Sequence, residues 1–223
     1  MSTHADLRRR TRTGAAAALV VGLAWSALAS ATVRDAARVT VAARPAIAPA
    51  DHPVTLYGTV DSARPGERVE IQAKDCGHSF FRSVTTTTTE LGGKWTAEFF
   101  PGITASVRAV WKGHVSKPIV VRQRALLRFA PKANDRSVFV VSVVARAQFW
   151  RKRIVIERFS PRSGRWSVFR SVVLSKQTAP GEAVWTSGEL RARVSPGTLL
   201  RAVLPAGQAA PCYLGSTSLT IRT

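Results

Sequence analysis

Four short strings occur twice, in the same order, along this 223-residue chain. RVEIQ at 68–72 returns as RIVIE at 153–157, and FRSV at 81–84 returns unchanged at 169–172. RAVWKG at 108–113 returns as RAVLPA at 201–206, and SKPIVVR at 116–122 returns as STSLTIR at 216–222. Subtracting starting positions gives offsets of 85, 88, 93 and 100, which grow steadily as loop insertions in a second copy require. Chance does not keep four matches in order, so the chain reads as one structural unit used twice, over 32–123 and 124–223.

Within each copy, apolar and polar residues alternate in short runs between Gly, Pro and Asp turns, which is the signature of half-buried strands. The first copy predicts strands near Arg38 to Ala42, Val54 to Ser62, Arg68 to Ala73, Ser79 to Glu90, Lys94 to Phe100, Thr104 to Trp111 and Ser116 to Gln123. ARPGE at 63–67 and LGG at 91–93 supply turns with glycine available for positive φ. Seven short strands per copy predict an all-β chain of two tandem seven-stranded Greek-key sandwiches. The run G-x-V followed by P-G-E-x-V-x-I, the G-x-W at Gly93 to Trp95, and R-A-V near the end of each copy resemble the immunoglobulin-like modules of exported proteins from high-GC bacteria. That resemblance covers about residues 37 to 223 and implies spacers, adhesins or binding domains, since such a fold does not fix a function. The Cys-Trp-Cys spacing of antibody domains is absent, each copy holding one cysteine.

Residues 1–31 differ from the rest. MSTHADLRRRTRTG is basic, Ala15 to Ala29 is apolar except for Ser26, and small residues follow at Ala29 and Ala31. This predicts a signal-peptide helix cut after Ala31. An uncleaved anchor over Gly14 to Val33 is the alternative, its length being about that of a bilayer span. The three arginines from Arg8 match a twin-arginine route only weakly. The protein is therefore expected outside the cytoplasm, secreted or in the cell envelope, where disulfides persist.

If the immunoglobulin-like resemblance holds, Cys76 sits at a hairpin apex where the chain leaves the first domain, and Cys212 in a loop where it enters the second. A bridge between them across the junction then follows; two free thiols, or pairing with another molecule, stay open.

Catalytic signatures are missing. His52, His78 and His114 lie in predicted loops without metal-ligand spacing, and Asp75, Cys76 and His78 supply too few ligands for a closed site. There is no nucleophile elbow, P-loop, dinucleotide fingerprint or calcium loop. Neither an enzyme nor a cofactor is expected. The TTTTT run at 85–89 reads as a strand, because one β-branched run builds no flat array.

Charge is the chain's strongest chemical signal. Of the formal +20, residues 124–223 carry 17 basic against 4 acidic side chains, net +13, whereas 32–123 carry 12 against 8. An anionic partner should therefore meet the second copy. Its most unusual stretch is QFWRKRIVIERFSPRSGRWSVFR, 148–170. Pairing across PRSG sets Phe159 opposite Trp166, Glu157 opposite Val168, Val155 opposite Arg170 and Arg153 opposite Val172. Ile154, Ile156, Phe169 and Ser171 then form the core face. Arg153, Phe159, Trp166 and Arg170 look outward, with Arg162 and Arg165 at the tip. Cations interleaved with rings grip anionic polymers, although a plain solvated face is the competing reading. The expected function is a non-enzymatic interaction or spacer protein whose partner is an anionic cell-wall polymer or a surface protein, with nucleic acid open as another polyanion. No sorting tail follows Thr223, so envelope association is expected to be electrostatic. A two-domain pilus-type chaperone and a secreted hydrolase are the alternatives. The first needs an exposed alternating strand, which the contiguous Ile119, Val120 and Val121 do not supply. The second needs a cleft with carboxylates or a histidine dyad.

Overall fold

Alternation becomes layering. In the first half the strands are β1 (Ala42–Arg44), β2 (Ile47–Ala48), β3 (Val54–Thr59), β4 (Arg68–Asp75), β5 (Arg82–Thr88), β6 (Lys94–Phe99), β7 (Ala105–Trp111), β8 (His114–Val115) and β9 (Ile119–Gln123). In the second they are β10 (Leu126–Lys132), β11 (Asp135–Ala145), β12 (Arg153–Ser160), β13 (Arg165–Val173), β14 (Lys176–Thr178), β15 (Val184–Arg191), β16 (Leu199–Leu204), β17 (Ser216–Thr217) and β18 (Ile221–Arg222), with one helical turn, α1 (Ala206–Ala209), before β17. The computed structural model describes residues 38–48 and 52–223, so the signal-peptide reading of 1–31 lies outside the described residues. No helix among the described residues is long and apolar enough to cross a membrane.

The first half pairs as β1-β3-β6 and β2-β9-β7-β4-β5, with β8 on β7; the second as β10-β11-β15-β14 and β13-β12-β16, with β17 and β18 on β16. Strand β7 alternates buried and half-buried residues along its whole length, and β11 does so over most of its own. Their inward rows meet those of the opposite sheet, giving an all-β sandwich. The buried side chains form two clusters. Val54, Leu56, Val69, Ile71, Trp95 and Val107 belong to one. Phe139, Val143, Ile154, Ile156, Leu200 and Leu204 belong to the other, which also takes in Ile103 from the first half. All described residues belong to one compact unit, Ala36–Thr223.

The ladders show which residues of the two halves are equivalent. Gln72 lies between Ser83 and Arg108, and Glu157 between Val168 and Arg201. Both hairpins carry a bulge at the same place, between Ile71 and Gln72 and between Ile156 and Glu157. The offset is thus 85 on both strands of the hairpin, and the two FRSV strings are three residues out of register: Phe81 matches Trp166. The last strand slips too. Ala109 N–H donates to Ser116 Oγ and Ser116 N–H to Ala109 O, both at 2.9 Å; Ala202 and Ser218 repeat both bonds at 2.9 Å. Ser116 therefore matches Ser218, two residues beyond the string alignment.

Other expectations shift locally. The first expected strand is split: Val39 makes an isolated bridge to Val60, β1 runs over 42–44, and Pro45, with no N–H to donate, stands between β1 and β2, which join different sheets. The long strand expected over Ser79 to Glu90 is confined to β5. Thr89 leaves the ladder, buried, donating from its hydroxyl to Arg64 O at 2.7 Å. In the second half the matching passage supplies two strands, β13 on β12 and β14 on β15.

Candidate functional site

The basic hairpin is β12 and β13. Its turn closes at Gly164, whose φ of +63° needs a residue without Cβ strain and whose N–H donates to Ser160 O at 2.9 Å. Phe159 pairs with Trp166 and Glu157 with Val168, as the sequence predicts. Beyond that the bulge makes Phe169 the extra residue, so Val155 lies opposite Ser171, Ile156 opposite Arg170, and Arg153 opposite Val173. Phe169 is half-buried against the core, Ser171 is exposed, and Val172 takes the buried position in their place.

Of the six predicted residues, Phe159, Arg162, Arg165 and Trp166 gather at the turn end of the hairpin, while Arg153 and Arg170 lie further along it. Arg153 begins β12, six residues before Phe159, which at 3.3 Å per residue is about 20 Å. Its backbone N–H bonds Gln208 Oε1, and its guanidinium donates to Ser171 Oγ at 2.9 Å. Arg170 is exposed, its guanidinium 5.3 Å from the centre of the Phe169 ring, which Arg158 also approaches, at 5.5 Å. Phe159 and Trp166 are half-buried, their centroids 5.4 Å apart. Arg201 lies 4.2 Å over the Trp166 ring and donates from Nε to Glu157 at 2.7 Å. These rings are therefore partnered within the protein. The first half repeats the device: Arg108 lies 4.0 Å over Phe81 and donates to Gln72 at 2.9 Å. An arrangement present in both halves belongs to the fold of the sheet.

What distinguishes the second half is that none of its carboxylates is left over to offset its excess positive charge. Each of its four carboxylates is in an ion pair: Asp135 with Arg191, Glu157 with Arg201, Glu182 with Arg146, and Glu189 with both Lys132 and Lys176. These account for five of its 17 cations, leaving twelve without a carboxylate among the described residues. Bonds from Ser137 hold the Asp135 carboxyl below its usual range, and Lys176 does the same for Glu189.

Several of the free arginines meet at the end of the second half where β12 turns into β13. A cleft of about 560 Å³ is lined by Arg158, Arg162 and Arg222 together with Phe159, Pro196 and Leu199. A neighbouring cleft of about 520 Å³ shares Pro196 and Arg222 and adds Arg136 and Phe139. Of these arginines the sequence reading had only Arg162. Arg158 alternates with the core face, and Arg136 and Arg222 lie far from the hairpin in sequence; a count of cations against carboxylates signals their excess but not their meeting.

At the opposite end of the second half lies the junction. Cys76 is bonded to Cys212, their Cα atoms 5.5 Å apart. Thr104 N–H donates to Cys212 O at 3.2 Å, Leu214 N–H to Gln123 O at 2.9 Å, and the Arg124 guanidinium to Gly215 O. Tyr213, buried, donates to Gly102 O at 2.7 Å and accepts from Arg146 N–H at 2.8 Å. Of the Asp75, Cys76 and His78 group, the cysteine is in the disulfide, Asp75 takes Arg82 at 3.0 Å, and His78 stands edge-on to Phe80. Strand β9 pairs with β7 through Ile119 to Val121 and with β2 through Arg122 and Gln123.

No family model and no curated protein matches the chain. Among solved structures, the human OSCAR ligand-binding domain is similar at 16% identity and TM-score 0.26, over 83% of this chain and 97% of that one. A tetra-tandem repeat from the extending region of a large adhesion protein is similar at 13% identity and TM-score 0.30, over 83% of this chain; there the chain spans 48% of the other's length.

Proposed function

We propose that this is a non-enzymatic, extracytoplasmic interaction and spacer protein that holds an anionic cell-envelope polymer through its second half. In this reading residues 1–31 are a signal peptide, and 32–123 and 124–223 are two tandem seven-stranded immunoglobulin-like sandwiches. The observation that carries it is the charge imbalance: every carboxylate of the second half is ion-paired while, among the described residues, twelve of its cations are not. So many uncompensated cations on a stable scaffold favour a polyanion over a neutral surface, because each anionic contact releases counterions from the polymer. The disulfide supports an oxidising compartment. A hydrolase reading gains nothing from clefts lined by arginine, and a pilus-type chaperone reading gains nothing from a β9 whose end is already paired by β2 at Arg122 and Gln123.

Titration of the full chain with a synthetic poly(glycerol phosphate), followed at low and at physiological salt, tests the proposal. Binding should weaken steeply with salt, log K falling linearly with log salt. Failure to bind at low salt would rule the polymer out as a ligand.

A further inference from the structure

The structure assigns the anion site to the far end of the second half, at the paired clefts bounded by Arg136, Arg158, Arg162 and Arg222, and not to the face of the basic hairpin; the assignment rests on the polyanion reading above. Three observations lead there.

The first is equivalence. Because offset 85 superposes the hairpins, the tip that follows Asp75 in the first half matches the tip that follows Ser160 in the second. In the first half that tip is tied at Cys76 to the 206–215 loop of the second half, by the disulfide and by the bond from Thr104 N–H to Cys212 O, while Gly77 to Phe80 are exposed. In the second half the corresponding tip has no such tie among the described residues and carries Pro161 and Arg162, both exposed; Arg165 pairs opposite Ser160 in β13 and lines neither cleft. One end of the fold therefore docks a neighbour in the first copy and presents arginine in the second.

The second is charge. Arg136, Arg158, Arg162 and Arg222 are exposed and form no ion pair among the described residues. The one carboxylate on the turn beside them, Asp135, is occupied by Ser137 and Arg191. Guanidinium forks take phosphate oxygens two at a time, and four of them around two adjoining clefts suit successive charges of one flexible chain.

The third concerns the rings. Base recognition in single strands depends on open aromatic faces, but Phe159 and Trp166 pack against each other at an interplanar angle of 55° and Arg201 covers Trp166. The ligand is accordingly a linear phosphodiester polymer held by its backbone, with no stacking of bases.

Two triple variants that each remove three positive charges separate the location from general electrostatics: Arg136→Ala with Arg158→Ala and Arg222→Ala at the clefts, and Arg153→Ala with Arg165→Ala and Arg170→Ala along the hairpin. All six residues are exposed, and thermal melting checks that both variants fold. With poly(glycerol phosphate) the cleft variant should lose roughly tenfold or more in affinity, its slope of log K against log salt shrinking by about 2 for three lost contacts at about 0.7 each. The hairpin variant should lose less than about threefold, a general charge effect. A larger loss in the hairpin variant, or equal losses in both, overturns the assignment and leaves the polyanion reading standing; no binding by the parent chain defeats both. An oligothymidylate of equal charge should bind within about threefold of the polymer without quenching tryptophan fluorescence. Tenfold tighter binding with quenching would show stacking and overturn backbone-only recognition.

Discussion

Tyr213 shows how much one side chain does at the junction. Its hydroxyl donates to Gly102 O in the first half and accepts from Arg146 N–H in the second, inside a buried site. Tyr213→Phe strands both groups and should cost about 1–3 kcal/mol, measured by denaturant unfolding. Burial also pushes the Tyr213 phenol up. The folded chain therefore keeps this proton above about pH 10, where the unfolded chain releases it; the stabilisation is complete below that pH and falls as pH rises beyond it. In a Tyr57→Phe background Tyr213 is the sole phenol, so phenolate absorbance should appear above the usual range and coincide with loss of structure. Gly58 is a second case. A Cβ there would fall 2.0 Å from Thr40 O and 2.7 Å from the Trp95 ring, so Gly58→Ala should lower stability by about 1–3 kcal/mol by overpacking. Neither role was legible in the sequence, since both depend on which distant backbone comes close. The identical FRSV strings misled for a related reason: the structurally matched pair is Phe81 and Trp166, different residues that do the same job beneath an arginine.

Elements were more legible. Period-two alternation located β3, β4, β6, β7 and β9 because each buries one row of side chains, and that pattern is written directly in the residues. Register was legible only as far as the bulge: the Phe159–Trp166 pair is set by the turn, whereas the extra residue at Phe169 leaves no mark in composition. The serine that ties the last strand to its neighbour is a cleaner measure of repetition. Ser116 and Ser218 are both buried and make matching bonds, with hydroxyls donating onward to Lys117 O and Leu219 O. Ser116→Ala and Ser218→Ala should each cost about 1–3 kcal/mol, because each leaves the matching alanine N–H buried without its partner. Losses that differ by several-fold in thermal melts would show that the two positions are not equivalent. Acid should act on elements too. Lys112 and Ser62 hold the Glu67 carboxyl low, Ser137 that of Asp135, and Lys176 that of Glu189. Depressed carboxylates stabilise the fold above their unfolded values and lose that contribution as pH falls below about 4. Thermal midpoints should drop on that limb, and less so in Asp135→Asn.

For the whole molecule the decisive feature is that two hydrophobic clusters share one covalent clamp. The Cys76–Cys212 bond closes a separation of 136 residues, for which the chain-entropy estimate is about 5 kcal/mol. The clamp was foreseeable once each cysteine was assigned to a loop at the junction, but its supporting contacts were not: Ile103 leaves the first half's core to join the second's, and nothing local in its sequence says so. Because each half retains its own buried cluster, cutting the clamp should uncouple the halves without dissolving either. Cys76→Ser with Cys212→Ser is thus expected to remain β-rich by circular dichroism while its urea unfolding, followed by tryptophan fluorescence, broadens or divides into two steps with a lower first midpoint. Ile103→Ala in that background should lower the step belonging to the second half, despite being a first-half substitution, because the side chain packs there. A single step at the parent's midpoint would mean that the junction is held by its noncovalent contacts alone and that the disulfide adds no constraint to the spacing of the two ends.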